Sequence, residues 1–244
     1  MVLYIMNKGL RIIPTYQCNK NCYMCYQKSK SGEILLPDTL QGILLKLKEE
    51  EQLNPTYITY MGGELSLFPE YTKQYILIGK KIFPSANSSL TTNGDGGFSF
   101  YKECIGSGLD TITFSFHEEN SALKEKILAL KLEGIPVRIN CYLDLDKQEN
   151  SRQAFNFCDK NKISLTFCTD LRAKKKLNLL GLGDILDIGR PHYYKVEKSY
   201  AVCKIMEGIS FWIFWSSDYE DAPNTIILPS GRVTEDFQEV LNGN

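Results

Sequence analysis

This chain contains few histidines and has almost no net charge. The two histidines, His117 and His192, do not lie at a zinc-finger spacing from any pair of cysteines, which excludes a histidine-containing zinc finger. The formal net charge is −1, so the protein lacks the global basic field that would attract nucleic acid or an anionic membrane. The sequence also contains no apolar run long enough to span a bilayer.

A secretory signal is missing from the start of the sequence as well. Residues 1–8 are too short for a signal peptide and lack its cleavage pattern. Eight cysteines without such a signal indicate a reducing compartment and not a disulfide framework. We therefore expect a cytoplasmic protein that has neither a membrane nor a nucleic acid as its partner.

Three of the cysteines stand close together, directly after the β-branched run at residues 12–16. Cys18, Cys22 and Cys25 follow a C-x3-C-x2-C spacing, so one loop can present three thiolates to a single metal centre. Thiolates are the usual ligands of iron–sulfur clusters, which normally take four of them. Three protein ligands would leave one iron open to a further ligand, which makes the site potentially catalytic.

Other interpretations of these cysteines remain open from the spacing alone. Cys22 and Cys25 can form a redox pair or supply half of a zinc site. Zinc would need a fourth ligand besides the three thiolates. Either alternative would make the chain a metal- or thiol-binding α/β protein without catalytic activity.

The cysteine spacing and Gly62-Gly63-Glu64, at the end of the next predicted strand, together resemble the signature of radical S-adenosylmethionine (SAM) enzymes. The resemblance implies that the three cysteines hold a [4Fe–4S] cluster and that SAM chelates its fourth iron. It implies reductive cleavage of SAM to a 5′-deoxyadenosyl radical, which takes a hydrogen atom from the substrate. An external electron donor of the flavodoxin or ferredoxin type is implied with it. The motif departs from the usual family pattern at the position before the last cysteine. An aromatic residue is common there in the family, whereas this chain has Met24, with Tyr23 beside it.

Strands and helices alternate along most of the chain. The hydrophobic spacing predicts strands at 10–13, 57–61, 88–92, 110–117, 136–143 and 163–168, with helices beginning near 37, 69, 100, 120 and 147. This alternation indicates an α/β fold with a parallel sheet. Periodicity alone does not distinguish an open doubly wound sheet from a partial barrel. The resemblance implies the partial (β/α)6 TIM-like barrel, which we expect over residues 1–170, with residues 171–244 as a small β-containing extension that caps the barrel mouth.

Ligands of parallel α/β folds bind at the C-terminal ends of the strands. By resemblance, SAM lies against Gly62 and Gly63, where a missing Cβ lets the backbone approach it closely, and Glu64 lies near its amino group. We expect Gly63→Val to weaken SAM binding and to leave the cluster intact, since the thiolates come from another loop. The further candidate SAM contacts are Tyr23, Met24, Asn93, Ser115, Arg138 and Asn140. His117 is the candidate catalytic residue, as a contact to the substrate.

The remaining features bear on a second cluster and on the substrate. Cys141, Cys168 and Cys203 can in principle meet at one metal, although nothing in their spacing requires it, and no cysteine follows Cys203. Few residues precede the first strand of the predicted barrel, which favours a small molecule or a nucleotide as the substrate. Modification of a peptide is the alternative.

Overall fold

A computed structural model describes residues 9–25, 27, 32–117, 120–143, 148–168, 192–196, 200–206, 209–214, 224–236 and 239–240. Residue contacts divide the chain into two compact units. The first comprises Met1–Ile112 and Ala222–Asn244, and the second comprises Thr113–Asp221. The expectation of a separate domain over residues 171–244 stays a prediction.

Up to residue 168, the described strands and helices alternate as the sequence predicts. In chain order the described elements are β1 (Gly9–Ile12), α1 (Pro37–Glu49), β2 (Tyr57–Tyr60), a 3-10 turn (Leu65–Leu67), α2 (Pro69–Ile82), β3 (Asn87–Thr92), α3 (Phe98–Gly106), β4 (Thr111–Ser115), α4 (Ser121–Leu132), β5 (Val137–Tyr142), α5 (Gln148–Asn161), β6 (Ser164–Cys168), β7 (His192–Val196), β8 (Tyr200–Met206), β9 (Ile209–Phe214), β10 (Asn224–Ile227) and β11 (Val233–Thr234). Among the described residues, none of the helices combines the length and apolarity that crossing a membrane requires.

The sheet of the first unit has the order β11-β10-β1-β2-β3. β1 pairs in parallel with both β2 and β10, and β2 pairs in parallel with β3, so the carboxyl ends of these strands share one edge. Leu10 and Ile12 of β1 are fully buried. α1 begins at a proline, which suits the first helical turn, and buries Leu40, Leu44 and Leu47 on one face.

The second unit contains a mixed sheet with the order β4-β5-β6-β9-β8-β7. The pairs β5–β6 and β6–β9 are parallel, whereas β8 runs antiparallel to both β9 and β7. α4 is capped by Asn120, whose Oδ1 accepts a hydrogen bond from the backbone N–H of Leu123 at 2.9 Å, as its position before the helix predicts. α5 buries Ala154, Phe155 and Cys158.

Five described strands, β7 to β11, follow residue 170. β9 and β10 belong to the segment in which the sequence predicts β structure, and they pair in parallel with β6 and β1 respectively. β7 and β8 were not predicted.

Candidate functional site

The segment Gly62-Gly63-Glu64 lies directly against the chain that leads from β1 into the cysteine loop. The N–H of Gly63 donates to the carbonyl of Thr15 at 2.8 Å, and the N–H of Glu64 donates to that of Gln17, also at 2.8 Å. Gln17 is the residue immediately before Cys18. Backbone hydrogen bonds therefore continue the pairing of β1 and β2 beyond the strands and join the two sequence motifs.

Both glycines are required by this contact. A Cβ on Gly63 would lie 1.8 Å from the carbonyl oxygen of Gln17, closer than any real contact. Gly62 has a φ of +137°, and a Cβ there would lie 2.6 Å from the carbonyl oxygen of Thr15. The sequence predicts that SAM approaches the backbone at Gly63, but the backbone of Gln17 occupies the position of the missing Cβ.

The expectation that Gly63→Val leaves the cluster intact stays a prediction, and the contact between Gly63 and Gln17 argues against it. The thiolates do come from another loop, but that loop begins at the backbone against which Gly63 packs. A side chain at residue 63 would displace Gln17 and, with it, the start of the cysteine loop. A contact between SAM and the two glycines stays a prediction.

Glu64 is a buried carboxylate, with 1% of its surface exposed. Its Oε1 accepts hydrogen bonds from the N–H of Ser66 at 3.0 Å and the hydroxyl of Thr92 at 2.9 Å, and its Oε2 accepts one from the N–H of Asn93 at 2.7 Å. Such donors are what a buried charge needs to remain stable. Glu64 therefore joins the carboxyl ends of β2 and β3.

A second layer of hydroxyls supports Glu64. The Thr92 hydroxyl lies 3.2 Å from that of Tyr101 and accepts from the N–H of Gly94 at 3.1 Å. Because the single Thr92 proton goes to the carboxylate, Tyr101 is the donor between the two hydroxyls. Burial raises the pKa of Tyr101 above its ordinary value of 10.0, so this donor keeps its proton. The sequence analysis did not identify Tyr101.

The three cysteines of the loop are half-buried and form no disulfide among the described residues. The N–H of Cys25 donates to the carbonyl of Cys22 at 3.0 Å, and the N–H of Lys20 donates to the Sγ of Cys18 at 3.4 Å. All three thiols belong to this one short loop, so their sulfurs can serve the same metal centre. Three partly exposed thiols on one loop are a donor set that fits an iron–sulfur cluster.

Two side chains predicted to contact SAM lie in the turn of the same loop. Tyr23 is 60% exposed, and Met24 is half-buried. Their contact with SAM stays a prediction.

Four polar residues connect the cysteine loop to the loop after β3. The side-chain amide of Asn19 donates from Nδ2 to Oδ2 of Asp95 at 2.8 Å and accepts at Oδ1 from Nδ2 of Asn93, also at 2.8 Å. Lys20 forms an ion pair with the same Asp95 oxygen at 3.2 Å. We call Asn19, Lys20, Asn93 and Asp95 the loop bracket. Sequence reasoning singled out only Asn93, as a SAM contact, because asparagine, lysine and aspartate are ordinary in exposed loops.

The other candidate residues belong to the second unit. Ser115 ends β4 and Asn140 lies in β5; both are half-buried, and the carbonyl of Asn140 accepts from the N–H of Phe116 at 2.7 Å. The carbonyl of His117 accepts from Nδ2 of Asn150 at 2.8 Å. Arg138 is exposed near the start of β5. A buried arginine would need a carboxylate partner, but an exposed one does not. Contacts of these residues with SAM or substrate stay predictions.

The cysteines outside the loop are mostly buried. Burial raises the pKa of the Cys104 thiol to about 12 and that of Cys141 to about 12, so both are protonated and unreactive near neutral pH in the absence of a metal. Cys168 is half-buried, and the side chain of Cys203 lies outside the described residues. A second cluster at Cys141, Cys168 and Cys203 stays a prediction.

Sequence comparisons relate the chain to one family. The profile of the Radical SAM superfamily matches residues 12–137, about half of the chain. A curated protein of Saccharolobus solfataricus, a probable GTP 3′,8-cyclase, is 27% identical over 166 residues, which are 62% of this chain and 52% of that protein. The chain thus spans about half the length of this relative.

Solved structures with similar folds include two proteins that were determined with a bound peptide. Streptococcus suis SuiB bound to the precursor peptide SuiA matches with a TM-score of 0.67 at 13% identity, over 97% of this chain and 61% of that one. anSMEcpe with bound AdoMet and the Cp18Cys peptide matches with a TM-score of 0.56 at 18% identity, over 70% of this chain and 54% of that one. At these identities the likeness establishes the fold, so the predicted α/β class of partial barrel is confirmed.

Proposed function

The chain belongs to the radical SAM superfamily, and from this premise we propose that it is an enzyme that cleaves SAM reductively and abstracts a hydrogen atom from its substrate. The resemblance seen in the sequence is thereby confirmed at the level of the family. The observation that best supports the activity is the backbone contact between Gly62-Gly63-Glu64 and the residue before Cys18. When bound, the cluster and SAM supply the electron and the 5′-deoxyadenosyl radical.

The three loop cysteines hold the [4Fe–4S] cluster in this proposal, and Gly62-Gly63-Glu64 binds SAM. The hydrogen bonds from Gly63 to Thr15 and from Glu64 to Gln17 fix the two segments relative to each other. A fixed geometry of this kind lowers the entropy cost of bringing the reacting groups together. The chain thus contributes position, while the cofactors contribute the chemistry.

Glu64 serves two purposes in the proposal. A carboxylate has about four acceptor sites, and protein donors use three of them. In the proposal the fourth accepts a hydrogen bond from the amino group of SAM. The same side chain would then hold the ends of β2 and β3 and take part in SAM binding.

A nucleotide or another small molecule is the first candidate substrate. The curated relative in Saccharolobus solfataricus carries the name of a GTP cyclase, which favours this class. A peptide is the second candidate, because the match to peptide-bound SuiB extends over 97% of this chain. The electron donor is an external protein of the flavodoxin or ferredoxin type.

Anaerobic reconstitution tests the core of the proposal. We expect about four irons per chain, and 5′-deoxyadenosine and methionine as products from SAM and dithionite. Cys22→Ala should abolish both iron binding and cleavage, whereas Cys104→Ala, which removes a thiol from α3, should retain both. Full cleavage by Cys22→Ala would refute the site. Binding of zinc in place of iron would favour a metal-binding protein without radical chemistry.

The substrate class is tested separately by isotope transfer. Deuterated GTP, other deuterated nucleotides and a deuterated peptide library are incubated with the reconstituted enzyme and SAM. Deuterium in 5′-deoxyadenosine identifies the substrate that lost the hydrogen atom. Transfer from peptides alone would refute the first candidate and support the second.

A further inference from the structure

The start of the cysteine loop is attached at two points to the loop after β3. Asn19 uses both ends of its amide, one toward Asn93 and one toward Asp95, at 2.8 Å each. Lys20 adds its ion pair to Asp95 at 3.2 Å. These contacts span more than seventy positions in sequence, so local chain geometry does not produce them.

Asn93 connects this loop bracket to the buried centre of the unit. Its backbone N–H donates to Glu64 at 2.7 Å, and its side-chain Oδ1 accepts from the N–H of Asp95 at 2.9 Å. The carboxylate of Glu64 thereby orients Asn93, which in turn orients both Asn19 and Asp95. The bracket is anchored on the buried hydrogen bonds of Glu64.

The bracket also determines where Cys18 lies. Asn19 and Lys20 directly follow this cysteine, and the N–H of Lys20 donates to its Sγ at 3.4 Å. Hydrogen bonds to ligand sulfurs and the charge nearby are among the factors that set the reduction potential of an iron–sulfur cluster. Ordering a loop costs conformational entropy for each residue. Because the bracket orders the start of the loop in the metal-free protein, metal binding need not supply that free energy.

We propose that Asn19 and Asp95 are positioning residues for the cluster: with Lys20 and Asn93 they hold Cys18 in its binding position and keep the Lys20 N–H directed at the Cys18 sulfur. This inference rests on the proposed function. Asp95 has two tasks, and both involve its Oδ2: it accepts a hydrogen bond from Asn19, and it forms the ion pair with Lys20. Two variants separate these tasks. Asp95→Ala removes both tasks, and Asp95→Asn keeps the acceptor while it removes the charge.

Hydrogen exchange of the protein without iron tests the bracket directly. We expect Asp95→Ala to exchange amide hydrogens severalfold faster than wild type across residues 18–22, and Asp95→Asn to fall between the two. Glu50→Ala is the matched control, because it removes an exposed ion pair with Lys46 at 3.8 Å on α1. It should leave exchange in the cysteine loop unchanged. If Asp95→Ala exchanged the amide hydrogens of residues 18–22 at the wild-type rate, the proposal would be overturned.

Cluster retention tests the role toward iron. Wild type and variants are reconstituted to full iron content, challenged with a chelator, and followed by the decay of visible absorbance. Asp95→Ala should lose its cluster severalfold faster than wild type and Glu50→Ala. Faster exchange with an unchanged rate of cluster loss would reduce the bracket to a structural role and overturn the positioning of Cys18. A wild type that binds no iron would refute the proposed function, whereas the exchange result would still decide whether the bracket holds the loop.

Discussion

Replacing Gly63 by alanine is the smallest change that tests the contact between the two motifs. The new Cβ would lie 1.8, 2.6 and 2.9 Å from the carbonyl oxygen, carbonyl carbon and nitrogen of Gln17. All three atoms are backbone, so rotation of a side chain cannot relieve the overlap. One of the two segments must move.

The expected cost follows from the contacts that this movement breaks. Overpacking by one methyl group costs about 1–3 kcal/mol, and each of the hydrogen bonds Gly63–Thr15 and Glu64–Gln17 contributes about 0.5–1.5 kcal/mol. The free energy of unfolding should therefore fall by about 2–6 kcal/mol. For a chain of this size, that corresponds to a melting temperature about 4–24 °C lower.

Circular dichroism melting and anaerobic iron analysis provide the two measurements. We expect Gly63→Ala to melt early and to bind substoichiometric iron, because movement of Gln17 displaces Cys18. Gly42→Ala is the control: this glycine lies in α1, and a Cβ added to it would have no atom within 4 Å, so alanine should stabilise the helix by about 0.5–1 kcal/mol. A Gly63→Ala protein with wild-type melting and full iron content would refute the reasoning.

Two further predictions concern buried ionisable groups. Glu64→Gln replaces one acceptor oxygen by a donor and should lower the free energy of unfolding by about 2–4 kcal/mol in urea titrations. The control, Glu49→Gln on the exposed face of α1, should change the free energy of unfolding by less than about 0.5 kcal/mol. Equal effects of the two variants would contradict the role of Glu64. Iodoacetamide at pH 8 should label the three loop cysteines of the iron-free protein and spare Cys104 and Cys141. Burial raises the pKa of both from 9.0 to about 12, so their thiolate fraction is about a thousandfold lower and should rise only as the pH approaches that value. Comparable labelling of Cys141, detected by peptide mass spectrometry, would contradict its burial.

The helices and parallel strands were predictable because local chemistry determines where they begin and what they bury. Pro37 and Pro69 begin α1 and α2, and the apolar spacing behind each proline matches the buried face. β7 and β8 gave no comparable signal. They form through antiparallel pairing with each other and with β9, and such pairing depends on distant segments more than on local preference.

The candidate site likewise contains residues that the sequence identifies and residues that only the fold brings into it. The cysteines and glycines could be identified because each supplies an atom, or lacks one, that the chemistry of the site requires. Asn19 and Asp95 carry no such mark, since exposed loops commonly contain both residue types. Their partners are set by strand order, which brings together residues 74 and 76 positions apart.

Gly63 shows why a correct motif can be given an incomplete physical reason. Glycine is used wherever backbone must approach something closely, and the sequence does not say whether that neighbour is a ligand or the protein itself. Here the neighbour of the missing Cβ is Gln17, one residue before a cluster ligand. Weak SAM binding in a Gly63 variant would therefore not by itself identify a SAM contact, because displacement of Cys18 predicts the same loss. Iron content measured on the same sample separates the two explanations: a ligand contact leaves the cluster in place, whereas displacement of the loop removes it.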